Sequence, residues 1–62
     1  MTATEFRATL KTLGVSQRWL ASRLGVDPVT VWRWAKGDLP VPQYAAFALE
    51  LLSKLADATE PV

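Results

Sequence analysis

Apolar residues recur at helical spacing in four segments of the chain, and residues suited to helix ends separate the segments. In the first segment Phe6, Leu10 and Leu13 lie at i, i+4 and i+7, so they share one face of a helix. This spacing predicts a helix over residues 3–13 that Gly14 stops.

Small polar residues predict where the first two helices begin. Thr2 and Glu5 have the spacing of a capping box, although Thr4 would also serve as the cap. Ser16 can accept a hydrogen bond from a free backbone N–H in the first turn of the second helix, which Gln17 opens.

Residues 17–36 are predicted to form two short helices joined by a tight turn. The first of these has three apolar residues on one face, Leu20, Ala21 and Leu24. Gly25 follows at once and lets the chain leave the helix with a positive φ, after which Val26 turns into the core. The next helix begins with Asp27 as its N-cap and Pro28 in its first position. Its inward positions are Val31 and Trp34, and Gly37 ends it.

The outward face of that third helix carries the candidate chemistry. It holds five side chains, Val29, Thr30, Trp32, Arg33 and Lys36. Thr, Arg and Lys beside apolar side chains suit a groove lined by base edges, methyl groups and phosphates. The layout is that of a helix-turn-helix, which places its second helix in the DNA major groove.

At these residues the chain resembles the repressor/Cro-like (XRE-type) helix-turn-helix regulators of phages and bacteria. The pattern that carries the resemblance consists of Gln17, Leu20, Ala21, Leu24, Gly25, Val26, Val31, Trp34 and Gly37, and the run TVWRWAKG over residues 30–37 looks like the end of a recognition helix. The resemblance covers residues 4 to about 56. It implies one all-α domain over residues 1–62, a small bundle of four helices, or five if short turns are counted. The helix-turn-helix unit would span about residues 17–36, with the recognition helix at 28–36.

The fourth helix is predicted to follow the extended connection DLPVP, to hold Pro42 in its first turn and to reach about Asp57. Five of its residues are expected to cover the helix pair, Tyr44, Ala45, Ala48, Leu52 and Leu55, whereas Phe47 and Leu51 lie on a neighbouring strip. Either the apolar face is wide or the strip meets a second subunit. We favour a homodimer, because a small domain with spare apolar surface suits symmetric pairing. Residues 59–62 are expected to fray.

The net charge is only +1, but the charges are unevenly distributed along the chain. Residues 1–36 hold six basic and two acidic side chains, a balance of +4, whereas residues 37–62 hold one basic and four acidic side chains, a balance of −3. Such asymmetry steers a polyanion to one end of the molecule. The alternative is that these are ordinary solvated charges.

Composition argues against several other classes of protein. The chain has no His, its six carboxylates are scattered, and it contains no Gly-rich phosphate loop, so we expect no enzymatic activity. Without Cys it has neither a disulfide nor a thiolate metal site, and we expect no cofactor or small-molecule effector. No signal peptide or membrane-spanning run is visible, so the expected location is the cytoplasm of a bacterium or of a phage-infected host.

The predicted roles follow the helix-turn-helix geometry. Base readout is assigned to Arg33, which can bind guanine O6 and N7, together with Thr30, Val29 and Pro28. Pro28 and Val29 depart from the family, in which many relatives carry polar base-reading side chains at these positions. Gln17 and the first N–H groups of its helix are expected to hold a phosphate, as the matching Gln does in relatives. Further DNA-backbone contacts are assigned to Arg18, Arg23, Trp32 and Lys36.

The predicted function is a sequence-specific regulator that binds double-stranded DNA, a homodimeric repressor on an inverted repeat with half-sites about 34 Å apart. The alternative is a protein-interaction module on the same scaffold, antitoxin-like or an assembly partner, with Trp32, Phe47 and Leu51 turned toward another protein.

Among the tryptophans, Trp34 is expected in the core and Trp19 is expected to cover part of the core. Trp32 either packs on the last helix or a partner, or contacts sugar and phosphate at the groove edge.

Overall fold

The computed structural model describes residues 1–58. Within that range four helices and no strand are formed, α1 Ala3–Leu13, α2 Gln17–Leu24, α3 Pro28–Lys36 and α4 Gln43–Ala58. The prediction of four helices is confirmed, together with the limits of the first three. The expectation that residues 59–62 fray lies outside the described residues.

The start of α1 is set by a complete capping box. The backbone N–H of Glu5 donates to Thr2 Oγ1 at 3.1 Å, and the backbone N–H of Thr2 donates to Glu5 Oε1 at 2.9 Å. The cap is therefore Thr2, and the alternative cap Thr4 lies inside the helix. Hydrogen bonds with Thr2 hold the pKa of Glu5 below its usual value. The bond to the Thr2 backbone has the larger effect and the bond to its side chain the smaller.

Side chains from all four helices form the core. It contains nine buried apolar residues, Phe6, Leu10, Leu20, Ala21, Val31, Trp34, Ala35, Ala45 and Leu49. The Trp34 ring packs edge-on against Phe6, with ring centroids 6.0 Å apart, and against Tyr44 at 6.2 Å. Trp34 thus joins three helices, which confirms its predicted place in the core.

Arg7 ties α1 to the end of α3. Its guanidinium donates to the backbone carbonyl of Ala35 and, at 3.4 Å, to Thr4 Oγ1. Carbonyls in the last turn of a helix have no partner within the helix, and positive charge is favourable there. Arg7 therefore serves the fold, although the sequence analysis counted it only as part of the basic half of the chain.

The prediction for the inward face of α4 is wrong in part. Leu55 was expected to cover the helix pair but is 62% exposed, whereas Tyr44 is 53% exposed and still packs edge-on against Trp34 of α3. The buried positions are Ala45 and Leu49, followed by half-buried Leu52 at the same helical spacing. The apolar residues of α4 form two stripes about 100° apart around the helix, and periodicity alone does not tell which of them faces inward.

Candidate nucleic-acid interface

The short turn between α2 and α3 sets the position of α3. Gly25 has a φ of +71°, and the N–H of Val26 donates back to the carbonyl of Ala21 at 3.0 Å. Asp27 Oδ1 then accepts from the N–H of Val29 at 2.9 Å and so caps α3. Because Val31 and Trp34 are buried, the turn and the core together fix which face of α3 meets solvent.

The outward face of α3 is the one on which base readout is predicted. Val29 and Trp32 are about half exposed, Pro28 and Arg33 are exposed, and Thr30 is half-buried. Arg33 is the cation on this face that makes no ion pair with another residue of the described chain. The structure therefore brings the four predicted base-contacting residues onto one short helix and leaves the Arg33 guanidinium free to bind a partner.

Two exposed indoles each hold a cation from their own helix. Lys36 Nζ lies 4.2 Å from the centre of the Trp32 ring, and the Arg23 guanidinium carbon lies 5.4 Å from the centre of the Trp19 ring. Both pairs have i,i+4 spacing, at which side chains on a helix meet, and cation–π attraction stabilises them. Neither alternative considered for Trp32 included this contact, which places a positive charge over the ring.

An acidic side chain, missed in the sequence analysis, lies at the end of α3. Asp38 Oδ2 is 3.4 Å from Lys36 Nζ, and both side chains are about half exposed. The backbone N–H groups of Gly37 and Asp38 both donate to the carbonyl of Arg33 at 3.0 Å, which holds this segment against the helix end. Asp38 therefore competes with any anion that approaches Lys36. The signal in the sequence was the Lys-Gly-Asp run itself.

The N-terminus of α2 provides the predicted phosphate-binding position. Ser16 Oγ accepts from the N–H of Trp19 at 2.9 Å, whereas the N–H groups of Gln17 and Arg18 have no hydrogen-bond partner among residues 1–58. The first turn of α2 carries no acidic residue that would oppose an anion. Gln17 is half-buried and Arg18 exposed, so both side chains reach the surface beside these N–H groups.

Four of the seven basic side chains of the chain lie on α2 and α3, which carry no acidic side chain. These helices carry four exposed basic side chains, Arg18, Arg23, Arg33 and Lys36. The acidic residues nearest to them in the chain are Asp27, which is used as a cap, and Asp38. The chemistry available to this part of the molecule is thus the binding of an anionic partner at its surface.

No protein-family model, curated protein or solved structure matches this chain. Among residues 1–58 there is no pocket and no group of side chains arranged to hold a metal ion. None of the helices in this range is long and apolar enough to cross a bilayer.

Proposed function

We propose that the protein is a sequence-specific regulator that binds double-stranded DNA, with α2 and α3 as a helix-turn-helix of the repressor/Cro-like kind. One observation carries the proposal. The outward face of α3 presents the unpaired Arg33 beside exposed apolar side chains, while its inward face is held in the core by Val31 and Trp34. A rigid helix with this surface suits the major groove, which is about 12 Å wide and admits a helix.

In this proposal the α3 side chains read sequence. Arg33 donates two hydrogen bonds to guanine O6 and N7, the commonest specific contact between a protein and DNA. Val29 lies against a thymine methyl group, with Pro28 and Thr30 beside it at the start of the helix. Because the backbone of α3 is fixed by Asp27 and the core, Arg33 would meet the base pair without further ordering of the backbone.

Contacts to the DNA backbone supply affinity without sequence information. Gln17 and the free N–H groups at the start of α2 bind one phosphate, since a helix N-terminus attracts anions. Arg18, Arg23 and Lys36 bind others, with Trp32 at the groove edge under Lys36. Binding of this kind weakens steeply as salt rises, because condensed counterions are released when phosphates are neutralised.

The regulator acts as a homodimer in this proposal, with Phe47 and Leu51 at the subunit interface. Two recognition helices related by a twofold axis read an inverted repeat whose half-sites lie about 34 Å apart. A dimer bound across promoter DNA blocks access to it, which is the action of a repressor.

Selection of bound duplexes from a random DNA library at moderate salt, followed by sequencing, tests the proposal. The expected result is enrichment of an inverted repeat with half-sites about one turn apart. No enrichment, with binding that disappears as salt rises, would contradict sequence-specific recognition.

A protein-interaction module is the second candidate, and the half-exposed Val29 and Trp32 favour it, because apolar patches often mark protein interfaces. Under this alternative Arg33→Ala leaves partner binding nearly unchanged, whereas Trp32→Ala abolishes it. The duplex selection separates the two candidates, since a module of this kind enriches no DNA sequence.

A further inference from the structure

The exposed face of α4 carries a continuous row of large apolar side chains. We call this row the α4 stripe. It consists of Tyr44, Phe47, Leu51 and Leu55, which are 53%, 58%, 45% and 62% exposed. They recur at spacings of three, four and four residues, so they lie on one face of the helix. The core of the same chain uses the other stripe, with Ala45 and Leu49 buried, and touches this one through the edge contact of Tyr44 with Trp34.

The exposed apolar area of the α4 stripe is large enough for a small, weakly bound interface with another helix. With full exposure of such side chains at about 150–250 Å² each, the α4 stripe offers roughly 400 Å² of apolar surface. Two such stripes and the residues at their edges would bury about 1,000 Å² in total, which is the low end for a specific interface. An interface of this size predicts a dimer that dissociates on dilution rather than an obligate one.

Charge along the stripe indicates what covers it. Glu50 and Lys54 form an ion pair at 3.7 Å. At about 100° per residue, both lie next to the edge of the stripe that is formed by Phe47. The opposite edge holds the uncharged Ala48 and Leu52. When two identical helices pair face to face in antiparallel orientation, like edges meet. Glu50 of each copy then comes beside Lys54 of the other, twice per dimer, whereas parallel pairing would set the charged edge against the uncharged one.

Three residues of the α4 stripe, Phe47, Leu51 and Leu55, share one centre with the charged pair, as a twofold axis requires, whereas Tyr44 lies outside this symmetric set. Leu51 is the midpoint between Phe47 and Leu55, and residue 52 is the midpoint of the Glu50–Lys54 pair. These levels differ by one residue, about 1.5 Å along the helix. A single twofold axis at this level satisfies both sets of contacts.

We propose that α4 binds a second copy of this chain as an antiparallel helix pair, with the α4 stripe as the apolar seam and two intermolecular Glu50–Lys54 ion pairs at its edge. The proposal rests on the homodimer of the proposed function and specifies its interface. It enlarges the predicted interface of Phe47 and Leu51 by Leu55, with Tyr44 at its margin, and it sets the orientation of the two subunits.

Two charge-reversal variants, measured alone and as a mixture, test the arrangement. Their self-association is measured by analytical ultracentrifugation of the full chain without DNA. Glu50→Lys and Lys54→Glu are each expected to weaken self-association about tenfold, because both intermolecular ion pairs become repulsive. An equimolar mixture of the two variants is expected to associate about as tightly as the original chain, since every intermolecular pair is again attractive. The repulsion within each α4 persists in the mixture, so recovery reports contacts between subunits only.

A mixture of Glu50→Lys with Lys11→Glu is the control, because Lys11→Glu has the same net charge as Lys54→Glu but the change lies on α1. Recovery in the test mixture that does not exceed the control overturns the antiparallel arrangement. A chain that stays monomeric up to about 1 mM overturns self-pairing altogether. Duplex binding by the original chain is measured separately by fluorescence anisotropy, so failure of DNA recognition and failure of α4 pairing are distinguished.

Discussion

Two helices of this molecule meet solvent in opposite ways. The nine residues of α3 include three buried ones, and its outward face carries two cations beside Val29 and Trp32. The sixteen residues of α4 include two fully buried ones, Ala45 and Leu49, and its outward face carries the four large apolar residues of the α4 stripe. A surface that combines cations with apolar side chains suits an anionic groove, whereas an uncovered apolar row suits another helix. In the two proposals α3 and α4 therefore have different partners.

The largest effect is expected from a contrast between the two tryptophans of α3, buried Trp34 and exposed Trp32. Trp34→Ala removes the ring that packs on Phe6 and Tyr44, so it should destabilise the fold by about 3–5 kcal/mol, most of the stability of so small a domain. Trp32→Ala, at an exposed position, should cost about 1 kcal/mol or less. Urea denaturation followed by circular dichroism measures both. Equal midpoints for the two variants would contradict the assignment of inner and outer faces.

A matched pair of leucines tests the same distinction on α4. Leu49→Ala empties a buried position and should lower the free energy of unfolding by about 2–5 kcal/mol. Leu51→Ala should change it by about 0.5 kcal/mol at protein concentrations where the chain is monomeric, and should weaken self-association instead. Thermal melts at low and high concentration separate the two effects. The assignment fails if Leu51→Ala destabilises the monomer as much as Leu49→Ala.

A smaller effect is expected at the end of α3. Asp38→Asn removes the carboxylate that pairs with Lys36, so duplex DNA should bind about two- to fivefold more tightly at low salt. The gain should shrink as salt rises, because the competing charge is exposed and screened. Fluorescence anisotropy over a salt series measures it, and Asp57→Asn on α4, which also removes one carboxylate, is the control for a change in charge away from α3. Weaker binding by Asp38→Asn would show that Asp38 positions Lys36 instead of competing for it.

The smallest effect concerns the cap of α1. The pKa of Glu5 is held below its ordinary value in the folded chain, because Thr2 hydrogen-bonds to the carboxylate. The folded state therefore binds this proton less readily than the unfolded state, so the contribution is present above the ordinary pKa of a glutamate and is lost as the pH falls through the folded pKa. Glu5→Gln should flatten the pH dependence of stability in that acidic window, measured by urea denaturation at several pH values. An unchanged profile would contradict the coupling between Glu5 and Thr2.

Helix limits were predictable because local chemistry sets them. Thr2, Ser16 and Asp27 cap α1, α2 and α3 through hydrogen bonds to the next few residues, and a glycine in the left-handed region ends each of these helices. None of these interactions depends on the rest of the chain. The buried face of α3 was also predictable, since Val31 and Trp34 are its large apolar residues at inward spacing and Trp32 stands apart from them.

Contacts between distant segments could not be predicted from the spacing of apolar residues along the chain. The bond from Arg7 to Ala35 joins residues 28 apart, and nothing local distinguishes Arg7 from a solvated arginine. The choice between the two stripes of α4 depends on where α1 and α3 leave room, so Leu49 was missed and Leu55 was misplaced. The Lys36 contacts with Trp32 and Asp38 are local, but they depend on which way three exposed side chains point, and the apolar pattern carries no information about that.

The central claim is that α3 reads DNA sequence through Arg33, and the most direct test compares Arg33→Ala with Lys36→Ala on the selected duplex and on variants with single base-pair changes. Arg33→Ala should cost about 1–3 kcal/mol and lose the preference at one base pair of each half-site, whereas Lys36→Ala should weaken binding to all duplexes alike and reduce the salt dependence. An Arg33→Ala protein that keeps the original preference at every base pair would contradict the claim.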